Sequence, residues 1–311
     1  MSDLPSRASI LEEGPREGFQ SEGTNIRAAD KVSLIEALAE TGLTEINCAS
    51  FVSDRVMPQM ADAEEVAASI KRKAGVAYRG MWLNKGGYLR AHAAGLDLTA
   101  TICGSGSDAF LMNNNRRTRA QYLEEQDQLL DLYAANGLHE GPIYVFTAFG
   151  CNYEGEVPIA KVITTISDLM ALLAARGRSP TEIYLCDTIG AADPQLVRRV
   201  VGAVRDRWPN ETVALHLHDT RGLGVVCAQA GLELGVARFD ASCGGLGGCP
   251  FAGNKAAAGN IATEELALLC ERMGVATGID ISSLIEAARL AERIVGHPLP
   301  SKLAKVGVFK H

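Results

Sequence analysis

Residues 182–220 read EIYLCDTIGAADPQLVRRVVGAVRDRWPNETVALHLHDT. Two short apolar runs, Glu182–Cys186 and Val213–Leu217, flank a longer amphipathic stretch, Pro194–Trp208. Short apolar runs bounded by turn residues read as strands, and the amphipathic stretch reads as a helix, so the segment is one parallel βαβ unit. The alternation extends in both directions. Further candidate strands are Ser9–Leu11, Glu45–Cys48, Val76–Leu83, Leu98–Cys103, Ile143–Ala148 and Arg238–Ser242. Further helical patterns are Ala28–Thr41, Ala63–Lys73, Arg119–Asn136, Ile159–Arg176 and Val226–Leu234. Eight strands alternating with helices in 311 residues predict an α/β fold, the (β/α)8 TIM barrel. A doubly wound open sheet is the alternative. It calls for G-x-G-x-x-G after the first strand, where this chain has Arg16-Glu17-Gly18.

From Ile261 onward the pattern is helical, Thr263–Met273 and Ile281–Val295, before a tail at Pro298–His311. No internal repeat or low-complexity linker interrupts the chain. The expectation is a single catalytic domain over 1–311, with the barrel at about 8–260 and C-terminal helices and tail at 261–311.

A composition of 47% hydrophobic and 22% charged residues excludes whole-chain disorder. A net charge of −7 argues against nucleic acid as a partner, because phosphate binding needs a basic surface. An anionic small substrate remains open, served by a local basic cluster or a metal. No apolar run reaches the roughly 18 residues of a bilayer span, so no membrane partner is expected. The opening MSDLPSRASILEEGPREGFQ lacks the apolar core of a signal peptide. Eight cysteines without a C-x-x-C pair then predict reduced thiols and a cytoplasmic location. Cys48, Cys103 and Cys186 end predicted strands and read as core residues.

Reactive groups of such a barrel gather at the C-terminal ends of its strands. Three segments meet that condition. His216-Leu217-His218-Asp219-Thr220 ends the seventh strand, and residues i and i+2 of a strand share a face. Both imidazoles can then reach one divalent cation, or simply line a polar strand end. Gly14-Pro15-Arg16-Glu17-Gly18-Phe19-Gln20 follows the first strand. It is either a turn with a solvated ion pair or a carboxylate for a cation beside a guanidinium for a carbonyl or enolate oxygen. Gly244-Gly245-Leu246-Gly247-Gly248-Cys249-Pro250-Phe251-Ala252 follows the eighth strand and runs on to Asn260. Its glycines give a backbone free to act as a lid or a linker around one thiol, and Asn260 offers a carbonyl oxygen to a hard cation.

These segments resemble the 3-hydroxy-3-methylglutaryl-CoA lyases, a family of metal-dependent barrel lyases. The likeness rests on GPREGFQ at 14–20, ASFVSDRVMPQMAD at 49–62, CNYEG at 151–155, DTIG at 187–190, HLHDT at 216–220, GGLGGCPFA at 244–252 and GNIATEEL at 259–266. It implies a homodimeric TIM barrel acting on an acyl-CoA. It implies Glu17, His216, His218 and Asn260 as metal ligands, Arg16 at the thioester side of the substrate, Cys249 as the catalytic thiol and Asp187 as an acid near the substrate, with His216 a candidate proton relay. Two imidazoles and two oxygens with open positions suit Mg²⁺ or Mn²⁺ better than zinc. The implied reaction is retro-Claisen cleavage of a 3-hydroxy-acyl-CoA, giving acetyl-CoA and an oxo acid.

The chain departs from the family pattern at several points. Glu17 stands where the lyases carry Asp; homocitrate synthases carry R-E-G, as this chain does. Asn47 replaces a second acid, Gly23 a lysine and Tyr184 a serine, and the stretch between Cys249 and Asn260 is two residues longer. Asn47 and Tyr184 fall at the substrate's end of the barrel, so the departures bear on which acyl group is accepted. (R)-Citramalyl-CoA, cleaved to pyruvate and acetyl-CoA, rivals 3-hydroxy-3-methylglutaryl-CoA as substrate. A Claisen-condensing synthase and an inactive acyl-CoA-binding barrel are the other readings.

Overall fold

A computed structural model of the chain describes residues 4–22, 26–247 and 259–309. Its strands are β1 (Ser9–Glu12), β2 (Glu45–Ser50), β3 (Ala77–Met81), β4 (Ile102–Ser105), β5 (Ile143–Phe146), β6 (Ile183–Cys186), β7 (Val213–His216) and β8 (Arg238–Ala241). Between β1 and β8 the main helices are α1 (Ala28–Ala39), α2 (Ala63–Ser69), α3 (Lys85–Ala93), α4 (Arg119–Ala135), α5 (Ile159–Ala174), α6 (Pro194–Arg207) and α7 (Gly224–Glu233). After β8 come α8 (Thr263–Arg272), α9 (Ile281–Val295) and α10 (Leu303–Val306). The eight predicted strands are all present.

The residues cluster into two compact units. In the unit built from Ser6–Leu98 and Phe239–His311 the strand order is β3-β2-β1-β8. Leu11 pairs with Glu45, and Glu45 with Ala77, all in parallel. Its largest helical seam is α9, which buries Ile281, Leu284, Ile285, Ala287, Ala288, Ala291 and Val295. Burying each Leu or Ile there contributes roughly 1.5–3 kcal/mol. The tail packs on this unit: Leu299, Ser301 and Leu303 are buried, and Ser301 donates its backbone N–H to Gly244 at 3.1 Å.

In the unit centred on Thr99–Arg238 the order is β4-β5-β6-β7, again parallel, with Ile102 opposite Ile143 and Cys186 opposite His216. One face of these strands carries Tyr184, Cys186 and Ala214, with Tyr144 and Phe146 packed against them. The Tyr144 and Tyr184 rings stack at 4.2 Å between centroids.

Three local expectations shift. The fourth strand begins at Ile102 rather than Leu98, because the parallel ladder to β5 runs through Gly104 and Ser105. Helix α3 went unread, since Gly86 and Gly87 in its first turn weaken the helical pattern. Gly87 is needed there, as a Cβ would lie 2.3 Å from the Phe51 carbonyl oxygen. Cys48 and Cys186 are buried as expected, whereas Cys103 is half-buried.

Candidate active site

The chain leaves β1 through a single π-helical turn, Gly14–Gly18. The Glu13 carbonyl accepts N–H groups from Arg16 (3.1 Å), Glu17 (2.8 Å) and Gly18 (3.3 Å). Wide turns of this kind recur where a side chain must be re-aimed. Gly14 lets the chain enter it, because a Cβ there would come within 2.7 Å of Glu12 Oε1. The winding sets Glu13, Arg16 and Glu17 on neighbouring positions of one face, as i, i+3 and i+4. Arg16 Nη2 lies 2.6 Å from Glu13 Oε2, and Arg16 Nη1 lies 2.9 Å from Glu17 Oε2. The sequence pointed to an arginine–acid pair; the structure shows an arginine between two acids, each end of its fork engaged.

The line continues at both ends. Asn47, on β2, donates from Nδ2 to Glu13 Oε1 at 3.2 Å. Asn260 donates from Nδ2 to Glu17 Oε1 at 3.2 Å. Asn260 is 1% exposed, and its Oδ1 is buried with no hydrogen-bond partner among the described residues. A buried amide oxygen left so costs about 1–3 kcal/mol, so this oxygen is arranged for a group that none of the described residues supplies.

Beneath this line lie two further buried carboxylates that the sequence pattern does not single out. Glu12 Oε1 accepts the backbone N–H of Gly14 and of Cys243, both at 2.8 Å, and its Oε2 accepts the Thr263 hydroxyl at 2.6 Å. Glu264 accepts the Gly244 N–H at 3.1 Å. Together they fix the root of the glycine-rich segment, where Gly244 adopts a left-handed φ of 68°. Burial pushes both carboxyls up to about 7, against the hydrogen bonds that pull them down. Each therefore holds its proton in the fold at pH values where the unfolded chain has released it. Their stabilisation is complete below about pH 4 and is lost as pH rises to about 7, on the order of 3 kcal/mol per group. The midpoint of urea unfolding is expected to fall between pH 5.5 and pH 8. Glu12→Gln, which keeps the neutral shape, should flatten part of that slope; an unchanged slope would remove Glu12 as its source. Cys249 and Gly23 lie outside the described residues.

In the other unit, His216 ends β7 and His218 stands just beyond it in an isolated bridge position, so only the first lies within the regular strand. Both are buried, at 7% and 5% exposure, with the rings tilted by 59° and the two Nε2 atoms 3.2 Å apart. Two imidazole nitrogens facing at that distance share a proton or turn their lone pairs to a common ion. Asp187 sits on the adjoining strand end, its N–H donated to the His216 carbonyl at 2.8 Å. Its carboxylate accepts the N–H groups of Ala191 (2.7 Å) and Ala192 (3.1 Å). Burial raises the Asp187 carboxyl above the usual range, while the charge of His218 and those two amides draw it back. Tyr184 is 1% exposed, its ring on Tyr144 and its hydroxyl accepting from Arg238 Nε at 2.8 Å. His92 and His139 are exposed.

One further feature has no signal in the sequence. Thr147, just past β5, has φ 54°, an outlying backbone for a β-branched residue. Its N–H reaches Thr188 Oγ1 at 2.8 Å and its hydroxyl lies 2.9 Å from Ser105 Oγ. Such strain clusters at functional strand ends, but no residue pattern announces it.

The donor types of each unit suit a divalent cation. Glu17 and Asn260 offer oxygens in one unit, and His216 and His218 offer nitrogens in the other, as a hard or borderline ion takes. Strand ends that present such donors beside a guanidinium define a broad class: a metal-dependent enzyme of the parallel βα type.

Comparison with known proteins narrows the class. The HMGL-like family model matches residues 7–291. The hydroxymethylglutaryl-CoA lyase YngG of Bacillus subtilis is 36% identical over 307 residues, covering 98% of each chain. The (R)-citramalyl-CoA lyase of Chloroflexus aurantiacus is 37% identical over 309 residues, 96% of this chain and 94% of that one. The structure of an HMG-CoA lyase from Acinetobacter baumannii, in complex with coenzyme A and 3-methylmalate, superposes with a TM-score of 0.86 at 36% identity, covering 99% and 96%. The chain belongs to the HMGL-like family and has its TIM-barrel fold.

Proposed function

We propose that the chain cleaves 3-hydroxy-3-methylglutaryl-CoA into acetyl-CoA and acetoacetate, using one divalent cation, Mg²⁺ or Mn²⁺, held by Glu17, His216, His218 and Asn260. The observation that carries the reading is Asn260, whose amide nitrogen is fixed on Glu17 while its buried oxygen is left for an ion. Glu17, His216 and His218 supply the acid and imidazole donors such an ion takes. An ion bound there would supply Lewis acidity to the substrate's oxygen atoms, while Glu17, His216, His218 and Asn260 would hold it.

The chain's own groups supply the remainder. The hydroxyl proton passes to His216 or Asp187 as its oxygen forms the new carbonyl. The C2–C3 electron pair then leaves with the thioester fragment as an enolate, whose oxygen Arg16 holds. The Cys249 thiol delivers a proton to the enolate carbon, completing acetyl-CoA. Asn47 and Tyr184 bear on the acyl group, Asn47 through Glu13 and Tyr184 by filling space beside Tyr144. In this reading 1–311 is one catalytic domain, and the enzyme is a cytoplasmic homodimer like the family the sequence resembles. No helix among the described residues is long and apolar enough to cross a membrane.

(R)-Citramalyl-CoA is the second reading, favoured by the 37% identity to a lyase of that name. Its carboxylate stands one methylene nearer the hydroxyl. The test is acetyl-CoA release from both esters with Mn²⁺ and after chelation. Release from the first, abolished by chelator and restored by Mn²⁺, is expected. Release only from the second transfers the assignment. Free CoA from acetyl-CoA plus a 2-oxo acid would make the chain a condensing enzyme.

A further inference from the structure

We propose that Glu13 is the positioning residue for Arg16: it holds one edge of the guanidinium and keeps Arg16 from competing with a cation for Glu17. The inference rests on the cation role given to Glu17 above. Arg16 carries one positive charge between two carboxylates, at 2.6 Å from Glu13 and 2.9 Å from Glu17. A divalent cation that draws on Glu17 leaves Arg16 and Glu13 as a matched pair, with the Nη1 edge of the fork released for a substrate oxygen.

Glu13 is placed to stay behind. It is 1% exposed, sits at the entry to the π turn, and has its second oxygen held by Asn47 Nδ2 at 3.2 Å. Its carboxylate is thus fixed from two sides and buried, whereas Glu17 is more exposed, at 18%, with its second oxygen accepting from the Asn260 amide. Without the Glu13 charge, the guanidinium fork is free to close on Glu17 through both nitrogens, which is the favoured geometry of an arginine–carboxylate pair. That closure ties up the oxygens a cation needs. Glu13 therefore acts on the reaction through Arg16 and on the cation through Glu17, without touching either ligand.

The test measures Mn²⁺ affinity by the EPR signal of the free ion, with no substrate present, and separately the steady-state cleavage rate. Glu13→Gln is expected to bind Mn²⁺ about tenfold more weakly and to lose about 10- to 100-fold in kcat. The double variant Glu13→Gln/Arg16→Lys should recover most of the Mn²⁺ affinity, because an ammonium cannot close on Glu17 through two nitrogens as a guanidinium can. Simple loss of a nearby negative charge would not be reversed in this way, since this double variant keeps the net charge of Glu13→Gln. Glu13→Asp keeps the charge on a shorter arm; it should hold Mn²⁺ like the parent yet still lose kcat, and it carries the test if Glu13→Gln lowers the melting midpoint. Parent-like Mn²⁺ affinity in Glu13→Gln, or a loss that persists in the double variant, overturns the proposal. A parent chain that binds Mn²⁺ but cleaves neither ester overturns the assigned reaction alone, and the Mn²⁺ series still decides the role of Glu13.

Discussion

Replacing His218 by alanine is expected to lower kcat by at least about 10³-fold and to abolish saturable Mn²⁺ binding at micromolar concentrations. A cation that polarises the reacting hydroxyl supplies several kcal/mol of transition-state stabilisation, and each 1.4 kcal/mol is a factor of ten. His218 is placed for this role: its Nε2 faces that of His216 at 3.2 Å in a buried setting. Removing it leaves one imidazole where two were arranged. Structural damage should be slight, because β7 ends at His216 and the ladder to β6 runs through residues up to that point. The measurements are a metal titration and a cleavage assay on variant and parent, with unfolding midpoints as control. An alanine variant that retains both Mn²⁺ affinity and rate would end the four-ligand assignment.

Cys249→Ala is expected to behave in the opposite manner. It should keep Mn²⁺ affinity within about twofold and lose about 10²- to 10⁴-fold in kcat, the range for a positioned general acid. The thiol is asked only to return a proton to carbon after the skeleton has parted, so the ion does not depend on it. Cys249→Ser should recover little, since a hydroxyl is a much weaker acid than a thiol. Together the two variants separate holding the ion from finishing the reaction. Equal loss of Mn²⁺ in Cys249→Ala would make the thiol a ligand, and a parent-like rate would remove it from the chemistry.

Much of the fold was legible because the period of each element survives in its residues. Ile281–Val295 reads as a helix and is one at the same bounds, since its buried positions recur on a single face. Lys85–Ala93 was not legible, because its helix depends on a glycine admitted beside the Phe51 carbonyl, a tertiary reason with no local trace. In the site, His216, His218, Arg16, Glu17 and Asn260 stood out by residue type and spacing. Glu12, Glu13 and Glu264 did not. An acid beside a turn reads as solvated, and only the packed structure shows Glu12 closing on donors 231 and 251 residues away as well as on one nearby. Asp187 was expected as a catalytic acid; its two amide partners show that it also shapes the turn after β6.

The π turn at Gly14–Gly18 amounts to one surplus residue wound into a coil that would otherwise close as an ordinary α turn. Deleting Pro15 would let the coil tighten, rotating Arg16 and Glu17 by about a hundred degrees around its axis. The strand would still pair and the barrel would still form, yet guanidinium and carboxylate would point to different quarters. Shortening the chain here by a single codon should therefore yield a well-folded protein with its reagents out of phase, a lesion that no point substitution nearby could repair.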